Sequence, residues 1–168
     1  INDILRLSEL DEGGSLPTEP VELLALCRDT ANSLEAAAQK RGITVTVTGD
    51  EVSVPGVRRL LTETVFNLCD NAIKYNRDGG SVTVTVGRDG GEAVVTVSDT
   101  GIGIPAEHQG RVFERFYRVD KSHSKASGGT GLGLSIVKHA VRYHHGTVTL
   151  DSREGEGTTF TIRLPTEP

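Results

Sequence analysis

Two asparagines one helical turn apart, Asn67 and Asn71, are the residues whose type and spacing first suggest chemistry. They share a polar stripe with Glu63 and Lys74, beside an apolar face that repeats at three- and four-residue spacing. An asparagine amide competes for backbone groups and disfavours a helix interior, so a pair beside a core face requires an explanation. The stripe predicts either a solvated face with amides that cap a loop, or a polar site at the edge of a pocket.

Two glycine-rich segments could complete such a pocket. The segment from Asp99 to Ile104 places an acid and two glycines directly after a predicted strand, where the backbone can turn tightly against a ligand. The segment Gly-Thr-Gly-Leu-Gly-Leu at 129–134 begins a predicted helix, whose N–H groups and dipole favour an anion. It has neither the glycine spacing of the dinucleotide fingerprint nor the Lys-Ser/Thr ending of a P-loop. Each segment alone is equally compatible with an ordinary turn.

A third segment, residues 113–118, contains Phe113 and Phe116 with arginines beside them. This spacing predicts a short amphipathic helix that packs its aromatic rings into the core, rather than a catalytic element. Residues 118–130, which separate it from the second glycine segment, show no apolar period. We expect them to form a mobile loop.

The elements that must position these residues follow from hydrophobic periodicity. Helical periods predict helices at 21–41, from near Pro55 to Tyr75, near 106–117 and at 132–145. Alternating periods predict strands at 43–48, 82–86, 92–98, 147–152 and 158–164, with a short strand near 52–54. The strands alternate cleanly, so one face of the sheet is covered, and the helices supply the cover. The fold class predicted is therefore α/β: a two-layer sandwich with a mixed, mostly antiparallel sheet covered on one face by helices.

The N-terminal residues are predicted to be separate from the main domain. Residues 1–11 carry a short helical pattern that glycines interrupt, which predicts the end of a longer helix and a linker over 1–14. Residues 15–168 then form one domain. The chain contains no methionine, so we expect it to be an excised part of a larger protein.

Composition excludes several classes of function. The formal net charge of −5 argues against a general nucleic-acid binder, because phosphate contacts need clustered Lys and Arg. No apolar run reaches membrane-spanning length, and no signal peptide is visible. Cys27 and Cys69 both fall in helical patterns; a disulfide is open, but buried free thiols in a reducing compartment are favoured.

The motifs occur in a definite order: Asn-x-x-x-Asn, Asp-x-Gly-x-Gly, Phe-x-x-Phe and Gly-x-Gly-x-Gly. This order resembles the catalytic ATP-binding domain of two-component sensor histidine kinases, which has the Bergerat (GHKL) fold shared with gyrase and the Hsp90 chaperones. The resemblance covers about residues 16–165. Within the family, the Phe-Tyr-Arg-Val-Asp segment at 116–120 is similar to that of membrane-receptor kinases.

The resemblance implies ATP and Mg²⁺ as cofactors and assigns a role to the asparagine stripe. Asn71 matches the metal ligand, and an amide oxygen is a hard donor that suits Mg²⁺. Asn67 matches the other motif asparagine, near phosphate and metal. Lys74 would offset phosphate charge, and Tyr75 would pack on the base or sugar. Arg118 matches an arginine proposed to touch the γ-phosphate.

The resemblance also implies the walls of the nucleotide site. Asp99 would accept a hydrogen bond from the adenine amino group, which favours adenine over guanine. Gly101 and Gly103 would form the turn beneath the base, and Ile104 and Leu132 would pack against the base. Gly129, Gly131 and Gly133 would close over the phosphates, and Thr159 would be a strand threonine near adenine.

One position bears on the reaction. The ATP-hydrolysing relatives have a glutamate that activates water at the position of Asn67, and an amide cannot take a proton as a carboxylate does. The resemblance therefore implies a histidine protein kinase that donates the γ-phosphoryl group rather than hydrolysing ATP. The acceptor histidine lies on a separate helical dimerisation domain in these kinases, and none of the five histidines here stands in such a helix.

The implied partners are that helical domain, in a homodimer, and a response regulator, and the implied location is the cytoplasmic part of a membrane-bound receptor, with this fragment itself not inserted in the membrane. Three alternatives stay open. The first is a Bergerat ATPase that performs conformational work, and the second is a non-catalytic nucleotide-sensing module. The third is a serine kinase of the anti-sigma type.

Overall fold

The computed structural model describes residues 16–114 and 133–167. Its strands are β1 (Glu19–Glu22), β2 (Thr44–Gly49), β3 (Ser53–Gly56), β4 (Ser81–Asp89), β5 (Glu92–Asp99), β6 (Thr147–Arg153) and β7 (Gly157–Pro165). Its helices are α1 (Leu23–Ser33), α2 (Glu35–Lys40), α3 (Arg58–Lys74), α4 (Ala106–Gln109) and α5 (Gly133–Tyr143). The N-terminal helix end and linker predicted over 1–14, and the loop predicted over 118–130, lie outside the described residues.

The main sheet has five strands in the order β2-β4-β5-β7-β6. The β2–β4 pair is parallel, and the other three pairs are antiparallel. Alternate residues of the central strands, such as Val84, Val97 and Ile162, are buried beneath the helices. This confirms the predicted sandwich with a mixed, mostly antiparallel sheet, because each strand has one apolar face to bury.

The opposite face of the sheet is rich in hydroxyl side chains. One row crosses all five strands through registered neighbours and consists of threonines only: Thr48, Thr85, Thr96, Thr161 and Thr149. Cross-strand hydroxyl pairs such as Thr85 with Thr96 join neighbouring strands on this face. The functional residues must therefore be sought on the helix-covered side.

A second, two-stranded sheet corrects two predicted helix starts. β1 pairs antiparallel with β3, so that Val21 opposes Val54 and Pro20 opposes Pro55. The predicted helix 21–41 begins at Leu23 instead and is interrupted at Leu34, giving α1 and α2. The carboxylate of Glu22 accepts the backbone N–H groups of the first turn of α1, which fixes that start.

The helix expected to open at Pro55 begins at Arg58, because Pro55 belongs to β3. A proline is tolerated there, since the strand lies at an edge and needs no N–H on its outer side. The predicted apolar face of α3 is confirmed: its members are all buried, namely Val57, Leu60, Leu61, Val65, Leu68 and Ala72. The polar stripe therefore stands beside a helix face that is fixed in the core.

A buried histidine, His144, ties the start of α3 to the end of α5. Its Nε2 accepts the backbone N–H of Val57 at 3.0 Å, and its Nδ1–H donates to the carbonyl of Ala140 at 2.7 Å. Burial lowers the pKa of this imidazole below its ordinary value. The neutral tautomer with the proton on Nδ1 satisfies both bonds, so α3 and α5 are joined by a group that has to stay uncharged.

The helix predicted near 106–117 is much shorter within the described residues. α4 ends at Gln109, whose side chain donates to the carbonyls of Ile104 and Ser152. Cys27 and Cys69 are buried free thiols, as favoured from the sequence. Burial raises the pKa of each thiol to about 12.

Candidate functional site

The polar stripe of α3 forms one edge of the site. Asn67, Asn71 and Lys74 are all partly buried, and Tyr75 caps the helix at its C-terminus. The ammonium of Lys74 lies 2.9 Å from the Asp70 carboxylate, one turn earlier on the helix. This cation is therefore already paired along the helix, although about a third of its side chain stays exposed.

The start of α5 lies against this edge. A Cβ added at Gly133 would stand 3.6 Å from the Oδ1 atom of Asn67. The N-terminal N–H groups of a helix present partial positive charge, so the Asn67 amide faces a position suited to an anion. Gly129, Gly131, Leu132 and Arg118, which were predicted to belong here, lie outside the described residues.

The acid at the end of β5 is fixed by backbone donors. The Oδ1 atom of Asp99 accepts the N–H of Gly101 at 2.8 Å and the N–H of Thr158 at 3.2 Å. Burial raises the pKa of the Asp99 carboxyl above its ordinary value, and these two bonds offset part of the rise. Within the described part of the chain, Oδ2 accepts no hydrogen bond, so this half-buried carboxyl keeps one oxygen available to a ligand.

Two glycines let the loop after Asp99 pass between neighbouring backbones. A Cβ at Gly101 would lie 2.4 Å from the carbonyl oxygen of Tyr75, so any side chain would push the loop away from α3. Gly103 has a φ of +72°, and a Cβ there would lie 2.1 Å from the Arg153 carbonyl oxygen. The backbone N–H of Ile102 donates to the Tyr75 carbonyl at 3.0 Å. Gly101 and Gly103, the two glycines singled out from the sequence, thus both lie where a neighbouring backbone leaves no space for a side chain.

The strand threonine nearest Asp99 is Thr158, the neighbour of the predicted Thr159. Asp99 and Thr158 are registered partners, and Thr158 is buried on the helix-covered face. The Thr159 hydroxyl is on the opposite face, where it bonds Ser98 at 2.8 Å. The structure therefore does not bring Thr159 together with Asp99, because successive strand residues point to opposite faces of the sheet.

Two polar residues that sequence reasoning missed hold this loop in place. The Ser152 hydroxyl accepts the N–H of Ile104 at 2.8 Å and donates to the Gly157 carbonyl at 2.9 Å. Asn76, buried at 4% exposure, donates to the Ser81 carbonyl at 2.9 Å and accepts the Thr100 hydroxyl at 3.2 Å. The available signals were a serine that follows Val148 and Leu150 at the alternate positions of a strand, and an asparagine shortly after the helix.

The aromatic segment packs against the helix-covered face of the sheet, on which Phe160 lies. The ring of Phe113 packs edge-on against Phe160, with centroids 6.0 Å apart, which agrees with the prediction of a core contact. The Ser135 hydroxyl, in the first turn of α5, donates to the Phe113 carbonyl at 2.9 Å. The start of α5 is therefore anchored to the segment that the aromatics fix in the core. Phe116 lies outside the described residues.

The donor set fits a nucleotide with a hard metal ion. The amide oxygens of Asn67 and Asn71 can bind Mg²⁺ directly or accept hydrogen bonds from its water ligands. Asp99 and the glycine turns provide a polar surface that a ligand can approach closely. Within residues 16–114 and 133–167, no cluster of three or more His, Cys, Asp or Glu is placed to hold a metal. Asn67 and Asn71 would supply the protein oxygens for a metal at this edge, and the ligand and water would complete its coordination.

Comparisons with known proteins define the class. A family model described as histidine kinase-, DNA gyrase B-, and HSP90-like ATPase (HATPase_c) matches residues 56–168. The chain belongs to this family. In the described part of the chain, no helix is both long and apolar enough to cross a membrane.

The relatives place the chain among the histidine kinases of that family. It is 39% identical over 170 residues to the sensor-like histidine kinase SenX3 of Mycolicibacterium smegmatis, covering 100% of this chain and 44% of that protein. It is 37% identical over 166 residues to the heme sensor protein HssS of Staphylococcus saprophyticus, covering 98% of this chain and 35% of that protein. The chain thus spans less than half the length of these curated relatives.

Solved structures agree. The catalytic domain of histidine kinase ThkA superposes with a TM-score of 0.80 at 26% identity, covering 91% of this chain and 100% of that one. The mycobacterial sensor histidine kinase MprB superposes with a TM-score of 0.76 at 34% identity, covering 90% of this chain and 99% of that one. The chain is therefore an ATP-binding catalytic domain of the histidine-kinase type, as its motif order suggested.

Proposed function

We propose that this chain binds Mg²⁺-ATP and donates the γ-phosphoryl group to a histidine on a separate helical dimerisation domain. In the full protein this domain would form the homodimer and pass the group to a response regulator. The catalytic chain would lie on the cytoplasmic side of a membrane-bound receptor. The observation that carries the proposal is the half-buried Asp99 carboxyl, which has one oxygen fixed by backbone N–H groups and the other without a donor among the described residues.

At the base end, which we define as residues 99–104 with Tyr75, Asn76 and Thr158, Asp99 would read adenine. Its Oδ2 would accept the exocyclic amino group of the base, whereas guanine has a carbonyl in that position that would face a carboxylate. The Thr158 hydroxyl is on the same face as Asp99, so we assign to Thr158 the role predicted for Thr159. Ile104 would pack against the base, and Tyr75 against the base or sugar.

At the phosphate end, which we define as Asn67, Asn71, Lys74 and Gly133, the side chains of α3 would face the triphosphate. Asn71 would supply a hard oxygen to the metal, and Asn67 would hydrogen-bond metal-bound water or phosphate. Mg²⁺ supplies charge neutralisation on the phosphates. The glycine motif, with Gly129 and Gly131, would close over the phosphates beside Leu132, and Arg118 would approach the γ-phosphate.

Asn67 is the residue that favours transfer over hydrolysis. An amide cannot accept a proton from water, so α3 offers no general base at the position where the hydrolysing relatives carry a glutamate. The γ-phosphoryl group would then persist until another nucleophile reaches it. The acceptor imidazole has to come from elsewhere, which is consistent with relatives more than twice the length of this chain.

The test has two stages. Calorimetric titration of the chain with Mg²⁺-ADP and Mg²⁺-GDP should show clear preference for ADP. The chain is then incubated with [γ-³²P]ATP, with and without the histidine-bearing helical domain of a histidine kinase whose catalytic domain is closely similar. We expect label on the helical domain only.

Stable phosphohistidine on this chain alone would contradict the proposed division of labour. Multiple-turnover release of inorganic phosphate by the chain alone would instead indicate an ATPase. The matched variant Asn67→Glu should raise that release if the position decides between transfer and hydrolysis. Binding of ADP without either reaction would indicate a nucleotide-sensing module.

A further inference from the structure

Arg41, at the end of α2, donates to three backbone carbonyls at the end of α3. Its Nη1 contacts the carbonyl oxygens of Ile73 and Lys74, the latter at 2.9 Å, and its Nη2 contacts that of Asn76. Its Nε donates to the Asp78 carboxylate at 2.9 Å. One guanidinium thus joins four acceptors across a stretch of chain that is far from it in sequence.

The physical reason for this arrangement is the helix end. The last carbonyls of a helix have no intrahelical donor and carry the negative end of the helix dipole. Arg41 satisfies two of them and the carbonyl of the residue after the cap, so it sets the path by which the chain leaves α3. The planar guanidinium can reach all of these acceptors at once, which a lysine ammonium cannot do.

The turn that Arg41 fixes is the support of the base end. The Tyr75 carbonyl accepts the N–H of Ile102, and the Asn76 side chain holds Thr100 and Ser81. Gly101 packs so closely against the Tyr75 carbonyl that the loop has no room to move toward α3. A shift of this turn is therefore transmitted to residues 99–104.

We propose that Arg41 is a positioning residue for adenine recognition, because its guanidinium holds the turn against which the loop carrying Asp99 is set. The inference rests on the proposed function and deepens it. Among the described residues, Arg41 makes no hydrogen bond with Asp99 or the loop after it; it touches the site only through the backbone carbonyls of residues 73–76. Its loss therefore changes how well Asp99 meets the base, and not how the metal is held further up α3.

The experiment compares Arg41→Gln and Arg41→Lys with wild type and with the control Arg58→Gln. Arg58 is an exposed arginine whose Nε bonds the Glu19 carboxylate at 2.8 Å, so it matches the charge and the ion pair but not the carbonyl contacts. Dissociation constants for Mg²⁺-ADP and Mg²⁺-GDP are measured by calorimetry at a temperature where circular dichroism shows each variant folded.

We expect Arg41→Gln to weaken ADP binding about tenfold while GDP binding changes little, so that the ADP/GDP selectivity falls by a similar factor. Arg41→Lys keeps the charge without the planar guanidinium, and its ADP/GDP selectivity should lie between those of wild type and Arg41→Gln. Arg58→Gln should keep the wild-type selectivity. Asp78→Asn should do so too, because that carboxylate is 83% exposed and a surface ion pair contributes little.

A purely structural role of Arg41 would lower the melting temperature and leave the selectivity of the folded protein unchanged, and that result would overturn the proposal. If Arg41→Gln does not fold, the same ratio measured on Arg41→Lys decides, and wild-type selectivity there overturns it. Failure of wild type to prefer ADP would instead overturn the proposed function, so the two failures are distinguishable.

Discussion

The base end of the site is held by hydrogen bonds between main-chain groups and side chains of neighbouring strands and turns, whereas the phosphate end consists mainly of side chains projecting from α3. Asp99, Gly101, Ile102 and Ile104 each bond a neighbouring strand, turn or side chain that is itself fixed. Asn67, Asn71 and Lys74 instead depend on one helix whose apolar face is buried. Under the proposed function, the residues with the more extensive hydrogen-bond network are those that would recognise the planar base, which is where preorganisation contributes most to affinity.

The largest effect is expected at the phosphate end from Asn71→Ala. Removal of the metal-binding oxygen should lower Mg²⁺-ATP affinity by at least about a hundredfold, more than the loss of an outer-sphere partner. The measurement is calorimetric titration with ATP in Mg²⁺ and in EDTA, and the variant should lose the difference between the two. Asn32→Ala, at an exposed asparagine of α1, is the control. A full metal dependence in Asn71→Ala would remove this residue from the metal site.

At the base end, Asp99→Asn should lower ADP affinity about tenfold to a hundredfold, because a charge-assisted bond to the adenine amino group is lost. The ligand-free variant should nevertheless melt at a higher temperature than wild type. The raised pKa of Asp99 means that the folded state favours the protonated carboxyl, so this stabilising contribution is present at low pH and is lost as pH rises through the folded pKa.

The control for Asp99→Asn is Asp151→Asn, an exposed carboxylate on the opposite face of the same sheet. Calorimetry and thermal melts near neutral pH give both readouts. An unchanged ADP affinity would remove Asp99 from the site. A lower melting temperature of the ligand-free variant would contradict the electrostatic part of the argument.

Lys74→Gln should have a smaller effect, about threefold on ATP affinity, because the side chain is 31% exposed and the ammonium is already paired with Asp70. The loss should shrink further at high salt, as expected of a screened surface charge. Asp70→Asn should act in the opposite direction and strengthen ATP binding at low salt, since it releases the ammonium toward the phosphates. Lys40→Gln, at an exposed lysine of α2, controls for net charge. Equal losses in both lysine variants would contradict a local role of Lys74.

The smallest effect concerns His144, which supports the phosphate end by joining α3 to α5. Its pKa is lowered in the folded state, so stability is fully present above its ordinary pKa and is lost as pH falls from about 7 to about 5. The slope should not exceed about 1.4 kcal/mol per pH unit, the value for one proton. Urea unfolding across this range measures it.

His144→Gln should flatten that pH profile, whereas His145→Asn, at the exposed neighbour with a φ of 61°, should leave most of it in place. His144 and Asp99 therefore titrate with opposite signs: stability rises with pH through the first and falls with pH through the second. A pH-independent stability between 5 and 7 in wild type would show that the α3–α5 junction does not depend on neutral His144.

The comparison also explains which parts of the site could be predicted. The phosphate end was visible in the sequence because a helix places residues three and four apart on one side, and Asn67, Asn71 and Lys74 follow that spacing. The base end was visible only as Asp99 and its glycines. Its supports, Asn76 and Ser152, are polar residues whose partners are distant in sequence, and no local period records such a pairing.

The placement of Thr158, and not the predicted Thr159, beside Asp99 has a similar cause. Both are strand threonines next to each other, and the register of β7 on β5 decides which one shares a face with Asp99. A one-residue difference reverses the face of a side chain, and register depends on the pairing of two strands that are about sixty residues apart.

By itself, the sequence determined the fold class, the buried face of α3, the polar stripe beside it and the order of motifs that identifies the family. These are properties of periodic or contiguous residues, which short-range geometry and hydrophobic burial translate directly into structure. Only the tertiary structure decided the parallel pairing of β2 with β4, the face on which Thr158 lies and the four acceptors of Arg41. The physical reason is that backbone carbonyls and strand edges are the same in every residue, so their partners are selected by packing in three dimensions.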